Sequence, residues 1–255
     1  MNTVLARRNP VAKLAAVTVL SLGLLASVDP VTPAVALAVE LAVVPLFGLG
    51  FGTLVRRGWP LLASVTGIAV TQVLFGTAGG RVVVAAGPLV VTSGELLTAA
   101  ALALRVLAVA LPSVLVFAST DPTDLADSLV QQARVPARFA IGALAAWRML
   151  PLLADEWRLL VLARRARGID AGRNPVARVR LGASALFALL VGAIRRGTRL
   201  ATAMDARGFD AGVPRGIARP QRFGRADAGL IAGGLAVAVL ALAVSVGTGW
   251  FRPLF

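Results

Sequence analysis

Residues 94–119 read GELLTAAALALRVLAVALPSVLVFAS, with Glu95 near one end and Arg105 near the middle as the only charges. A helix needs about 20 mostly apolar residues to cross the hydrocarbon of a bilayer, so this stretch predicts a membrane helix. The rest of the chain agrees. Its 255 residues are 58% hydrophobic and 15% charged, with a mean hydropathy of +0.83. Soluble domains carry about 45–50% apolar and about 25% charged residues. The chain lacks Cys, which excludes disulfides, thiolate metal sites and Cys nucleophiles. It also lacks His, the commonest general base and metal ligand. An all-α integral membrane protein follows.

Outward from that helix, the segments on either side supply further spans. Arg7, Arg8 and Lys13 precede the apolar stretch Leu14–Val28, in the outline of a signal peptide. No small-residue cleavage site leads into a soluble domain, and more apolar segments follow, so a first membrane helix closed by Asp29-Pro30 is expected. A second is expected from Pro33 to Val55, ending at Arg56-Arg57-Gly58, and a third from Trp59 to Phe75. Val82–Val91 is too short to span and is broken by Gly87-Pro88, so it is expected as an outer or re-entrant connection. The last helix is expected over Asp227–Trp250. About five spans result, in a multi-pass protein of the cell membrane. Cationic loops stay in the cytoplasm, which places the N-terminus inside and the C-terminus outside.

The net charge of +14 is concentrated in one segment. Residues 134–225 hold 18 arginines and five acids, a net of +13. That balance fits cytoplasmic retention, an acidic partner surface or anionic lipid headgroups. A nucleic-acid interface would want interleaved aromatics and a soluble domain, and is set aside. The chain thus divides into membrane helices at 1–119, a cytoplasmic or interfacial helical module at 120–226, and a last membrane helix with the C-terminus at 227–255. In the module, Asp121-Pro122 predicts the cap and first turn of a short helix. Val135-Pro136 and Asn174-Pro175 open two long ones, with Pro151 inside the first. The apolar run Leu181–Ile194 is short for a span, which favours a buried or interfacial helix.

Each long helix closes on the same seven residues. Ala166-Arg167-Gly168-Ile169-Asp170-Ala171-Gly172 matches Ala206-Arg207-Gly208-Phe209-Asp210-Ala211-Gly212 at six of seven positions, forty residues apart. A helix C-cap accounts for Gly after Arg. It does not by itself account for the repeated apolar residue, Asp, Ala and Gly that follow.

Two Ala-Arg-Gly motifs at the ends of two cytoplasmic helices resemble the signature of the transmembrane T component of energy-coupling factor (ECF) transporters, the CbiQ-like family. Asn9-Pro10-Val11-Ala12-Lys13-Leu14 resembles the family's Pro-x-x-Lys-Leu opening. Thr120-Asp121-Pro122-Thr123-Asp124-Leu125 resembles the segment after its fourth helix, and Arg148-Met149-Leu150-Pro151 the middle of its first coupling helix. The resemblance covers essentially the whole chain. It implies about five membrane helices, two long coupling helices and one short one. It implies two cytoplasmic ABC-type ATPase subunits as partners, with Arg167 entering one and Arg207 the other. Ala166, Gly168, Ala206 and Gly208 complete the docking motifs. Asp170 and Asp210 either hold the loop after each cap or pair with their own Arg. A separate substrate-binding S component would pack on Phe139–Ala154 and Leu181–Ile194, where Gly142, Ala143, Ala145, Gly182, Ala183 and Ala185 allow close contact. The alternative for these small residues is ordinary internal packing. Arg164, Arg165, Arg195, Arg196 and Arg199 are expected as rim or headgroup contacts.

The transport role implied is uptake of a vitamin or metal ion. The chain is not expected to be an enzyme or to bind a cofactor or metal itself: no phosphate-binding loop occurs, so ATP and Mg belong to the partner ATPases. A stand-alone permease would want a repeat of membrane helices, and an intramembrane enzyme would want an acid–base or metal constellation that these residues do not supply. Glu40, Glu95 and Arg105 fall in or at the edge of predicted spans, where Glu40 and Arg105 could pair. Gly229-x-x-x-Gly233 in the last helix is expected to serve bundle packing.

Overall fold

A computed structural model describes residues 5–44, 51–76, 79–86, 89–209, 212, 216–251 and 253. Helix α1 (Pro10–Leu24) begins where Asn9 accepts the Val11 N–H at 2.9 Å and Pro10 takes the first helical position. Helix α2 (Val31–Val43), α3 (Phe51–Phe75) and α4 (Ser93–Ala118) follow, then the short α5 (Pro122–Gln131). Its cap is as expected, with Asp121 accepting the Thr123 N–H at 2.7 Å. Helices α6 (Ala137–Ala166) and α7 (Pro175–Ala206) precede α8 (Arg225–Gly247). The protein is an all-α membrane protein. Of the described helices, α4, α6, α7 and α8 are long and apolar enough to cross a membrane by length and composition, and α1 and α2 are shorter apolar helices.

Two connections differ from expectation. The second and third helices part before Phe51, and Arg56-Arg57-Gly58 lies within α3. Charge does not break a helix, whereas Pro45, Gly48 and Gly50 in the sequence between α2 and α3 are the stronger punctuation. The connection at Val82–Val91 contains an antiparallel pair, β1 (Val82–Ala86) with β2 (Leu89–Thr92). Its Val-rich composition suits a strand more than a re-entrant helix. Glu95, at the edge of the fourth helix as expected, is half of a capping box: Thr92 accepts the Glu95 N–H at 3.3 Å, and Glu95 accepts the Thr92 N–H at 2.8 Å.

The chain forms two compact units, Met1–Ala133 with Gln221–Phe255, and Arg134–Pro220. In the first, α1 packs on α8, α4 and α5; α2 packs on α4 and α8; and α3 packs on α4. Leu20, Leu24, Ala36, Ala108, Ala238 and Ala241 form its core. Helices α1 and α8 approach closely, and glycine is what lets them. A Cβ at Gly234 would sit 2.7 Å from the Ala16 carbonyl oxygen, and one at Gly23 would sit 2.6 Å from the Ala238 Cβ. Gly229 and Gly233, expected as the packing pair, have open space where a side chain would go. A single step along the helix separates the contact glycine from the free one.

Two polar clasps fix the ends of α1. At its start, the Asn9 N–H donates to Asp227 on α8 at 2.9 Å. The buried Lys13 ammonium donates to the Ser119 carbonyl at 3.1 Å and the Thr120 hydroxyl at 3.3 Å, just past α4. At its end, the buried Asp29 carboxylate accepts from Ser27 at 2.6 Å, from the Thr32 hydroxyl at 2.9 Å and N–H at 3.1 Å, and from Ser245 of α8. Arg105 donates to the Ser27 carbonyl here, so the expected Glu40–Arg105 pair does not form. Burial alone would raise the Asp29 carboxyl, but the hydrogen bonds from Ser245, Ser27 and Thr32 outweigh it and hold the group below the ordinary carboxylate value.

These contacts also fix direction. The starts of α1 and α8 meet through Asn9 and Asp227, and their ends through Asp29 and Ser245, so the two run parallel. Val44, just beyond α2, packs with Leu5, so α2 runs the other way. The end of α4 meets Lys13, so α4 is antiparallel to α1. Gly76, after α3, abuts Glu95 at the start of α4, so α3 opposes α4. Helices α1, α2, α3, α4 and α8 therefore alternate in direction.

Candidate functional site

Helix α7 opens as Asn174-Pro175 predicts, with Asn174 accepting the Val176 N–H at 3.0 Å and the Ala177 N–H at 3.2 Å. The far ends of α6 and α7 are built alike. After α6, Arg167 has φ −90° and Gly168 φ +74°. The Gly168 N–H reaches the Arg165 carbonyl at 2.9 Å and the Ile169 N–H reaches that of Arg164 at 3.0 Å. After α7, Arg207 has φ −93° and Gly208 φ +73°. Here Gly208 bonds Asp205 at 2.9 Å and Phe209 bonds Met204 at 3.0 Å. This pair of reversed hydrogen bonds is the Schellman motif, and it needs a left-handed residue that only glycine adopts without strain.

The cap explains more of the repeat than its sequence suggested. A Schellman turn favours an apolar residue after its glycine, which accounts for Ile169 and Phe209. Gly172 and Gly212 repeat because both take positive φ, +51° and +70°. Asp170 accepts the Ala171 N–H at 2.7 Å, so it holds the loop. Asp210 lies outside the described residues. What the cap leaves over is the two arginine side chains. Capping uses only the backbone of Arg167 and Arg207, and both guanidinium-bearing residues are exposed.

Other arginines brace the hairpin from within. Arg164 donates to the Leu181 carbonyl at 2.9 Å and the Ser184 hydroxyl at 3.0 Å. Arg178 donates to the Gly172 carbonyl at 3.2 Å, and Arg196 pairs with Glu156. The contacts move backward along α6 as they move forward along α7, so the helices are antiparallel. Arg164 and Arg196 thus each contact the neighbouring helix of the hairpin. Arg165, Arg195 and Arg199 are exposed. A cavity of about 340 Å³ beside the first cap is lined by Trp157, Ile169, Asp170, Arg178 and Leu181.

The long helices leave apolar surface uncovered within their unit. Phe139, Trp147 and Leu150 on α6 and Phe187, Leu190 and Ile194 on α7 are all more than half exposed. Ala185 is buried, but side chains at Gly142 or Gly182 would meet nothing within 4 Å. Those two glycines do not serve packing inside the unit. An apolar surface of this extent marks a face for lipid or protein. Sequence reasoning missed the bracing role of Arg164, since nothing in Arg164-Arg165-Ala166-Arg167 tells which guanidinium faces α7. It missed the Glu95 box although Thr92-x-x-Glu95 signals it.

Comparison with known proteins places the whole. The profile of the CbiQ family, described as cobalt transport protein, matches residues 1–216. An energy-coupling factor transporter transmembrane protein EcfT from Exiguobacterium sibiricum is 30% identical over 180 residues, 68% of each chain. One from Lacticaseibacillus paracasei is 32% identical over 200 residues, 75% of each chain. One from Bacillus selenitireducens is 27% identical over 248 residues, covering 91% of this chain and 89% of its own. The matched range takes in Asn9-Pro10 and Lys13 at the start of α1 and both Ala-Arg-Gly caps. The chain belongs to the CbiQ family, as a multi-pass transmembrane T component of the energy-coupling factor type.

Proposed function

We propose that this chain is the coupling subunit of an ECF-type ABC importer, linking ATP hydrolysis in two cytoplasmic ATPase subunits to reorientation of a membrane S component. The cargo is a vitamin or a metal ion, bound by the S component. The observation that carries the proposal is the pair of identically built caps, each presenting an exposed arginine that the cap itself does not need. A guanidinium is permanently charged and planar, and it binds a carboxylate through two parallel hydrogen bonds. Two such ends suit two related grooves, one on each ATPase. The chain itself performs no catalysis and holds no cofactor; ATP and Mg act on the partners.

Energy transfer is then mechanical. Closure of the ATPases around ATP displaces the ends held at Arg167 and Arg207. Arg164 and the Arg196–Glu156 pair tie α6 to α7, and Arg178 ties α7 to the loop between them, so both helices respond as one braced lever. The exposed apolar faces of those helices carry the motion to the S component.

The test is copurification. Truncating one partner of a buried charged contact costs about 2–5 kcal/mol. Arg167→Ala and Arg207→Ala should each weaken docking of one ATPase, and the double variant should purify without ATPases and not transport. Arg→Lys should restore assembly only in part, because an ammonium cannot form the bidentate contact. A double variant that copurifies with its full ATPase complement and transports normally would refute the coupling role.

A further inference from the structure

Glu40, in the last turn of α2, has both carboxylate oxygens buried, and neither has a hydrogen-bond partner among the described residues. A buried carboxylate left unpaired is costly, and in a membrane protein it marks a function by default. Its neighbours do not relieve it. Arg105 is engaged by the Ser27 carbonyl at the opposite end of the bundle. Lys13 donates to Ser119 and Thr120 and not to Glu40.

Glu40 borders an open-sided cavity of about 400 Å³ between α1, α2, α4 and α8. The cavity is polar at one end only. Arg8, Lys13 and Glu40 line that end, where α1 begins and α2 finishes. Leu20, Leu111 and Val237 are among the apolar residues that line the rest. Gly229 and Gly233 of α8 enlarge it, since a side chain at either would meet nothing within 4 Å. An occupant must therefore be an amphiphile lying along the bundle. Its head must bring a cation with hydrogen-bond donors to the acid, and an anion to the nearby guanidinium.

We propose that this cavity binds a phospholipid carrying a primary amine, its ammonium donating to Glu40, its phosphate facing Arg8 and a chain filling the apolar depth. Phosphatidylethanolamine meets these demands. A choline head has no N–H to donate, and a glycerol head brings no cation. The site is separate from the Ala-Arg-Gly caps, so its fate does not depend on the coupling role proposed above.

Delipidated full-length protein in detergent, titrated with phosphatidylethanolamine, phosphatidylcholine and phosphatidylglycerol of matched chains under native mass spectrometry, tests this. A charged hydrogen bond won or lost corresponds to about tenfold or more in affinity, so the ethanolamine lipid should bind at least about tenfold tighter than the other two. Glu40→Gln should erase most of that preference while leaving chain-driven binding of all three. Gly233→Leu should fill the cavity and weaken every lipid, with helix content unchanged by circular dichroism. Equal binding of the three lipids by the wild-type chain would overturn the proposal whatever the variants do, as would an ethanolamine preference that survives Glu40→Gln.

Discussion

Gly168 and Gly208 are the residues on which each arginine's presentation turns. Their φ values of +74° and +73° lie where an L side chain costs about 1–2 kcal/mol. Gly168→Ala should therefore fray the last turn of α6 by about that much while leaving α7 intact, which amide hydrogen exchange at Arg167 and Ile169 would report. Protection equal to the parent's would show that the turn does not depend on glycine. Lys13 is the corresponding residue in the bundle. Lys13→Met keeps the volume but leaves the Ser119 carbonyl and Thr120 hydroxyl without their donor, a loss of about 1–3 kcal/mol. A fall in the detergent unfolding temperature relative to the parent is the expected result. At this scale the sequence was partly legible. Arg-Gly spoke for a cap and Asn-Pro for a helix start, because both act through their immediate neighbours. Arg164 was silent because its partners lie on α7, and the tie from Asp29 to α8 because Ser245 lies far along the chain.

Among the elements, the α1–α2 connection carries a titration. The Asp29 carboxyl is held below its ordinary value of 3.8 in the folded protein. Stability from this group is present in full above that ordinary value, because the unfolded chain then holds no extra proton. As pH falls below it, protons bind the unfolded chain first, and the contribution disappears as pH drops through the folded value. Unfolding free energy in detergent should decline through that acid window. Asp29→Asn should show a shallower decline and lower stability near neutral pH. Identical acid slopes for the two proteins would remove Asp29 from the balance. The elements themselves were readable where punctuation was strong, as at Asn174-Pro175 and Asp121-Pro122. They were misread at Arg56-Arg57-Gly58, where charge was taken for a helix end, and at Val82–Val91, where a β-branched run was too short to announce a hairpin.

For the molecule as a whole, orientation is open to a direct test, and the lack of native Cys makes it clean. Thr32 is a poor probe because its hydroxyl and N–H are buried against Asp29, whereas Val28 nearby is exposed. Single Cys at Val28 and Thr248 should react with an impermeant maleimide from outside intact cells, and one at Arg173 should not. Reaction at 173 alone would invert the topology. The all-α membrane character could be read from composition alone. The direction of each helix could not, since it rests on contacts such as Asn9–Asp227 between residues more than two hundred positions apart.

The parallel course of α1 and α8 has one more consequence. To start two neighbouring helices from one face of a bilayer, the chain must make round trips between them, and every outward passage needs its return. Crossings by each of α1 to α4 would make two such trips. The hairpin of α6 and α7, both long enough to cross, must then either stay on the starting face or complete a third trip; a single passage is forbidden. Labelling at Val28, Thr248 and Arg173 together separates the two cases, because a third trip would carry Arg173 to the same face as the other two. The tip of that hairpin is thus a two-valued reporter of how the arginine-bearing helices meet the membrane.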